Sequence, residues 1–278
     1  KEPERKSNEE KPQTPSPQES EGEPEDVDTI LKKISEKEEE PAEKLSLVQR
    51  LVGVFYQPLR VFRYLRSKPD FLAPLFISIL MSVVMSWQVY DIALDDNLQR
   101  IQQSERFSQE QKNNMIDQIE AGRYGMRRYL SIFAFPTIGT VLWMLVLAFI
   151  FLFIGNVLLG GKSTFKQLFS TLSYSWLIFS VVGSLISLPL ILQQQTLKIH
   201  LSLAAFMPQS AEKTPLFQLI DSFDIFTVWF IIVFGLGFAT IYRFSSKKGI
   251  IAVLITWLVG VLIFKVVLGT FATRFFGA

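Results

Sequence analysis

The chain has 278 residues, 49% of them hydrophobic and 19% charged, with 25 Phe and no Cys. The lack of cysteine excludes disulfides, thiol nucleophiles and thiolate metal sites, while the apolar residues gather into runs near the roughly 20 residues that cross a bilayer as a helix. The net charge of +2 hides two opposite regions, with 15 acidic and 8 basic side chains in residues 1–45 (near −7) and a remainder near +9; that suits an anionic lipid surface and not nucleic acid, since the cations flank apolar runs and form no stripe.

Residues 1–44, rich in Pro, Glu, Ser, Gln and Lys, read as a disordered, acidic cytoplasmic tail with too little apolar surface to offset chain entropy. Within it Val27, Ile30, Leu31 and Ile34 fall at i, i+3, i+4 and i+7, the pattern of a short helix that forms on a partner. The tail is polar throughout, so the first apolar helix itself is expected to direct insertion.

Residues 46–66 predict interfacial helices. Leu47, Leu51, Val54 and Phe55 share one face, Pro58 opens a second helix, and Leu59, Phe62 and Leu65 then alternate with Arg60, Arg63 and Arg66. Apolar groups on one side and Arg on the other describe a helix lying in the membrane interface.

Five spans follow, at about 71–94, 129–159, 168–192, 223–242 and 250–270. Pro69 and Pro74 sit where the first span begins, at positions that tolerate a missing N–H, and Trp87 and Tyr90 suggest an aromatic belt at its far end. Residues 95–128 are polar and read as a helical hairpin standing off the membrane, with Ser108 and Gln111 forming a capping box. Pro136 predicts a kink in the long second span. The sequence around Gly160 and Gly161 is a tight turn, lacking the leading Gly of a phosphate-binding loop. The loop after the third span is longer, and Leu201 to Met207 is expected to rest on the bilayer. The fold class is therefore all-α, a polytopic membrane helix bundle with five transmembrane helices.

Lys and Arg in the short loops set orientation. With the N-terminus inside, ten cations (Arg50, Arg60, Arg63, Arg66, Lys68, Lys162, Lys166, Arg243, Lys247 and Lys248) face the cytoplasm, and the outer cations are diluted among acids over longer loops. This predicts N-inside and C-outside, with Arg127 and Arg128 as a minor exception.

Candidate chemistry is sparse. His200 is the single histidine, and one ligand does not make a metal site. Asp221 and Asp224 are spaced i, i+3 and read as helix-capping acids. Asp70 reads as the N-cap of the first span or a partner of Arg63 or Arg66. Lys265 lies inside an apolar run, where a charged group is a functional candidate unless its stem snorkels outward; Asn156, Gln88 and Ser82 are weaker candidates of the same kind. Gly235 and Ala239 have small-xxx-small spacing, for which packing within the bundle is favoured over a homodimer. No cofactor, metal or catalytic group is expected.

Taken together these residues resemble the Yip (Ypt-interacting protein) domain family, specifically its bacterial branch, over about residues 46–272. Phe55, Pro58, Phe62 and Pro69 lie at places matching the bacterial lead-in. Pro69 to Leu75, PDFLAPL, is similar to the Asp-Leu-x-Gly-Pro-Leu motif of eukaryotic members, with Phe71 and Ala73 replacing Leu and Gly. Tyr174 and Ser175 match a Gly-Tyr-Ser element in which Ser173 replaces the Gly. Residues 219–237, which include Asp224, resemble the start of the fourth span. The resemblance implies a five-helix domain with a cytoplasmic N-terminus. Its eukaryotic relatives associate with Rab-type GTPases in vesicle traffic, a partner class that does not carry over to bacteria.

The function expected is a non-enzymatic membrane scaffold or adaptor in the bacterial inner membrane. Its expected partners are anionic lipids of the inner leaflet and unidentified proteins recruited by the tail or the outer hairpin; a homo-oligomer stays open. The alternative is a transport or lipid-handling subunit with Asn156, Lys265 and the Pro136 kink lining a polar path.

Overall fold

The computed structural model describes residues 44–208 and 214–263. The tail with its Val27–Ile34 pattern, Lys265 and the end of the fifth apolar segment lie outside these residues. Among the described residues the chain is helical with no strand, apart from an isolated antiparallel bridge between Ser202 and Asp224.

Helix α1 (Leu47–Tyr56) starts at a capping box, in which the Ser46 hydroxyl accepts from Gln49 N and the Gln49 side chain accepts from Ser46 N. Pro58 opens α2 (Pro58–Ser67) at its first position, where the missing N–H costs nothing. Helix α3 (Leu72–Gln103) has 32 residues, roughly 48 Å at 1.5 Å per residue. That exceeds a hydrocarbon core of about 30 Å. The first span and the first leg of the hairpin are thus one continuous helix, and no break falls at residue 94. Helix α4 (Gln109–Glu120) forms the returning leg, and its capping box pairs Ser108 with Gln111.

Helix α5 (Gly125–Leu158) crosses back. Its irregularities are two π-helical turns, at Leu130–Ala134 and Ile154–Leu158. The first directly precedes Pro136, and the wider turn accommodates a residue that cannot donate. Helix α6 (Phe165–Gln194) starts at a third capping box, Thr164 with Gln167, and holds a π-helical stretch at Ile178–Gly183. After a loop come the short α7 (Pro215–Asp221), α8 (Ile225–Tyr242) and α9 (Ser246–Val261). Asp224 is the N-cap of α8, accepting from Thr227 N at 2.7 Å.

Helices α3, α5, α6 and α8 are long and apolar enough to cross a membrane; α9 is apolar over its 16 residues. The long helices differ in burial. Two-thirds of the α8 apolar window is inside the protein, against 11% for α3. Helix α8 is therefore the hub. Phe230, Phe234 and Phe238 on α8 are fully buried; Phe230 stacks on Phe234, Phe151 meets Phe234 edge-on, and Phe238 packs at a tilt against Phe234 and Tyr242. The outer helices turn Phe76, Ile138, Phe149 and Ile255 outward, as side chains meeting lipid do.

Two glycines set the spacing around the hub. A side chain on Gly235 would meet the Ile250 backbone at 2.6 Å, so α8 and α9 touch backbone to backbone. Ala239 lies against Gly249 on the same seam. The small-residue surface is thus consumed within the bundle and leaves no face there for a homodimer. A side chain on Gly237 would meet the Phe62 ring at 3.0 Å; its absence lets α2 sink onto α8.

That contact corrects the reading of α2 as a helix facing lipid. Val61, Phe62 and Leu65 are buried in the protein core, because α8 and α6 cover the apolar face before lipid can. The exposed apolar row lies instead on α1, at Val48, Val52 and Tyr56.

Candidate functional site

At the end of the bundle where α1 and α2 sit, the two family-like motifs meet. Arg50 on α1 pairs with Asp70, the residue just before α3. The Tyr174 hydroxyl on α6 donates to Asp70 Oδ1 at 3.3 Å. The Arg50 guanidinium also lies over the Tyr64 ring, 4.9 Å from its centre, a favourable cation–π placement. The Arg50 side chain is 13% exposed and that of Asp70 36%. The partner of Asp70 is therefore Arg50 and neither Arg63 nor Arg66. Nor does Asp70 cap the first span: α3 has no side-chain cap, because the carboxylate is turned toward Arg50 and Tyr174. Among the described residues it is the one acid beside the ten cations of the short loops assigned to this face, and it offsets one of them.

The same junction is laced by polar contacts across elements. Arg66 donates to Thr240 O at 3.5 Å, and Gln167 Nε2 donates to Arg66 O at 2.6 Å. Arg60 donates to Gln57 Oε1 at 3.2 Å, and Arg63 is exposed. Ser173 and Ser175 flank the buried Tyr174 and return their hydroxyls to Phe169 O and Thr171 O, so polar groups face the core with their hydrogen bonds made. Pro74 is buried in the first turn of α3, and Pro69 is half-buried ahead of it. In the adjoining turn Asn156 both donates to Ser163 O and accepts from Ser163 N, each at 3.1 Å. Asn156 is thus a turn brace, and this accounts for its polarity without a conducting path.

The opposite end carries the hairpin. Arg128 forks onto both oxygens of Asp91, at 2.7 and 2.9 Å. Arg123 pairs with Asp95 and Glu120; the hydrogen bond to Asp95 and then that to Glu120 push its pKa further up, holding it charged. Arg127 donates to Gln118 O. The cations that broke the loop-charge pattern are therefore matched to acids or a carbonyl within the hairpin. Tyr90 does not belong to an aromatic belt. It is buried, its hydroxyl donates to Gly122 O at 2.7 Å, and Arg128 covers its ring. Trp87 is exposed.

Beside the hairpin lies the cluster that local sequence hides. His200 Nδ1 is 2.9 Å from Asp221 Oδ1, and the Ser202 hydroxyl donates to the same oxygen at 3.2 Å. Asp221 ends α7, and the N-cap of α8 is Asp224. His200 thus has an acidic partner, separated from it by 21 residues and a helix. A cavity of about 390 Å³ opens next to this pair, its lining including Ser184, Ser187, Asp221, Asp224, Phe179 and Phe226. Among the described residues no group of three His, Cys, Asp or Glu side chains could hold a metal.

Buried motif residues at one end, a braced hairpin at the other and lipid-facing apolar helices between them define a multi-pass helical membrane protein. The Yip1 domain model matches residues 52–267, and the chain belongs to that family. Neither a curated protein nor a solved structure gives a significant match.

Proposed function

We propose that the protein is a non-enzymatic scaffold of the bacterial cytoplasmic membrane, with five spans, its N-terminus inside and its C-terminus outside. The observation that carries this reading is that helices which cross nothing are held in fixed positions at both faces. Arg50, Asp70 and Tyr174 lock α1 and α2 to the bundle, and Arg128, Asp91, Arg123 and Asp95 lock the hairpin to α3. A surface fixed before a partner arrives does not lose ordering entropy on binding. The α1 row of Val48, Val52 and Tyr56 beside cationic α2 meets the anionic inner leaflet, with Leu203 and Phe206 resting on the outer one. The tail, with Val27, Ile30, Leu31 and Ile34, and the hairpin then recruit protein partners.

The test is crosslinking in native membranes. The full chain is expected to capture a defined protein, and that capture is expected to disappear when residues 1–44 are removed or when the hairpin ion pairs are replaced. Capture of lipid alone by every version would defeat the scaffold reading.

A further inference from the structure

We propose that α3 has two registers in the bundle, one four-residue step apart, and that the step carries movement from the α1–α2 end to the hairpin. This goes beyond the scaffold reading and holds whether or not the hairpin captures a protein.

The first observation is a repeat in the sequence of α3. Residues 76–87 read FISI, LMSV, VMSW: three tetrads with Ser in the third place and Ile or Met in the second. Four residues of helix amount to a screw movement of about 6 Å and roughly 40°. That movement sets Ser on Ser and Met on Ile or Met, and Met is the side chain that refits most readily to a new pocket.

The second is where the serines bond. Ser78 is fully buried and shares a hydrogen bond with Ser180 on α6 at 3.0 Å. Ser86 donates to Ser131 O on α5 at 3.2 Å. Ser180 and Ser131 both lie in π-helical stretches, where a helix departs from its regular ladder and functional hinges are frequent. Between them Ser82 returns its hydroxyl to Ile79 O of its own helix at 2.8 Å, a spare rung. With α3 advanced one step toward the α1–α2 end, Ser82 stands where Ser78 stood, opposite Ser180. Hydroxyl contacts between spans are individually weak, so exchanging one for its equal is a small barrier.

The third is that the acids beyond the repeat keep the same spacing. Asp91 pairs with Arg128 and Asp95 with Arg123, and the same step brings Asp95 opposite Arg128. Helix α3 also has only 11% of its apolar window inside the protein, so few packed side chains oppose its movement. A one-turn ratchet of one element past another is an established form of two-state transition. The latch of the resting register is Asp70, held by Arg50 and Tyr174, because the step draws it away from both.

The experiment uses the full chain, free of native cysteine, in native membranes with pairs of introduced cysteines and a mild oxidant. Ser78→Cys/Ser180→Cys reports the resting register and Ser82→Cys/Ser180→Cys the advanced one. Met81→Cys/Ser180→Cys, on a face that neither register brings opposite α6 at this level, is the control. The resting pair is expected to crosslink readily, the advanced pair at a few per cent of that rate, as a minor state populated at roughly 1–10% gives, and the control pair not at all. Adding Asp70→Asn is expected to raise the advanced product severalfold and to lower the resting one. Should Asp70→Asn fail to fold, Arg50→Gln releases the same latch. Failure of the resting pair to crosslink, an advanced pair no faster than the control, an advanced product unchanged by release of the latch, or an equal rise in the control pair would overturn the proposal. The scaffold reading, tested by capture of a partner, is untouched by either result.

Discussion

The two ends of the bundle use the same kind of contact in different surroundings. At the α1–α2 end, Arg50 meets Asp70 beside a buried tyrosine and a fully buried Phe62. At the hairpin end, Arg128 meets Asp91 with better geometry, a two-pronged fork, but with 29% and 54% of the two side chains exposed. Geometry alone would rank the hairpin pair higher. Burial reverses the order, because Arg50, only 13% exposed, loses more when left unpaired than a charge at a wetter surface does. The motif end is therefore a structural joint, and the hairpin end a brace that fixes shape with a smaller share of the stability.

Substitutions at the two ends should separate accordingly. The largest effect belongs to Phe62→Ala, which empties the socket over Gly237; a loss of about 3 kcal/mol is expected, read as a fall in unfolding midpoint of the detergent-solubilised protein. Asp70→Ala comes next. It strands Arg50 and removes the acceptor of Tyr174, at a cost of about 2 kcal/mol, and protease cleavage between α1 and α2 should accelerate. A neutral result there would erase the distinction between the ends. Tyr90→Phe deletes the bond to Gly122 O and should cost about 1 kcal/mol, with faster amide exchange confined to α4 and the following turn. The smallest effect is expected for Arg128→Ala, about 0.5 kcal/mol, which should fade further as salt is raised. A loss there as large as that at Asp70 would mean the hairpin is buried against something.

Much of this architecture is legible from local sequence. Ser108 with Gln111, Asp224 before α8 and Pro58 at the start of α2 all act within a few residues of themselves, so spacing alone exposes them. The apolar segments of α5, α6 and α8 are equally plain, since hydrocarbon length is a local property. What spacing could not show is which distant groups meet. Asp70 chose Arg50 over the nearer Arg63 and Arg66 because α2 turns those toward solvent or toward Thr240. His200 found Asp221 only after α7 folded back. Phe62 read as a lipid anchor because its amphipathic pattern is the same whether lipid or a glycine-notched helix receives it. The signal for that choice was Gly237, a residue without a side chain in the middle of a Phe-rich span. The π-helical turns of α5 and α6 left no mark in the hydropathy, with Pro136 as their nearest hint.

The account depends most on the two ends lying on opposite sides of one bilayer. The chain contains no cysteine, so single cysteines can be placed at Arg63 and Lys247 on one end and at Lys112 on the other, then challenged in intact cells with a membrane-impermeant thiol reagent. Lys112→Cys should react at once, and Arg63→Cys and Lys247→Cys only after the cells are opened. Reaction of all three from the same side would contradict it.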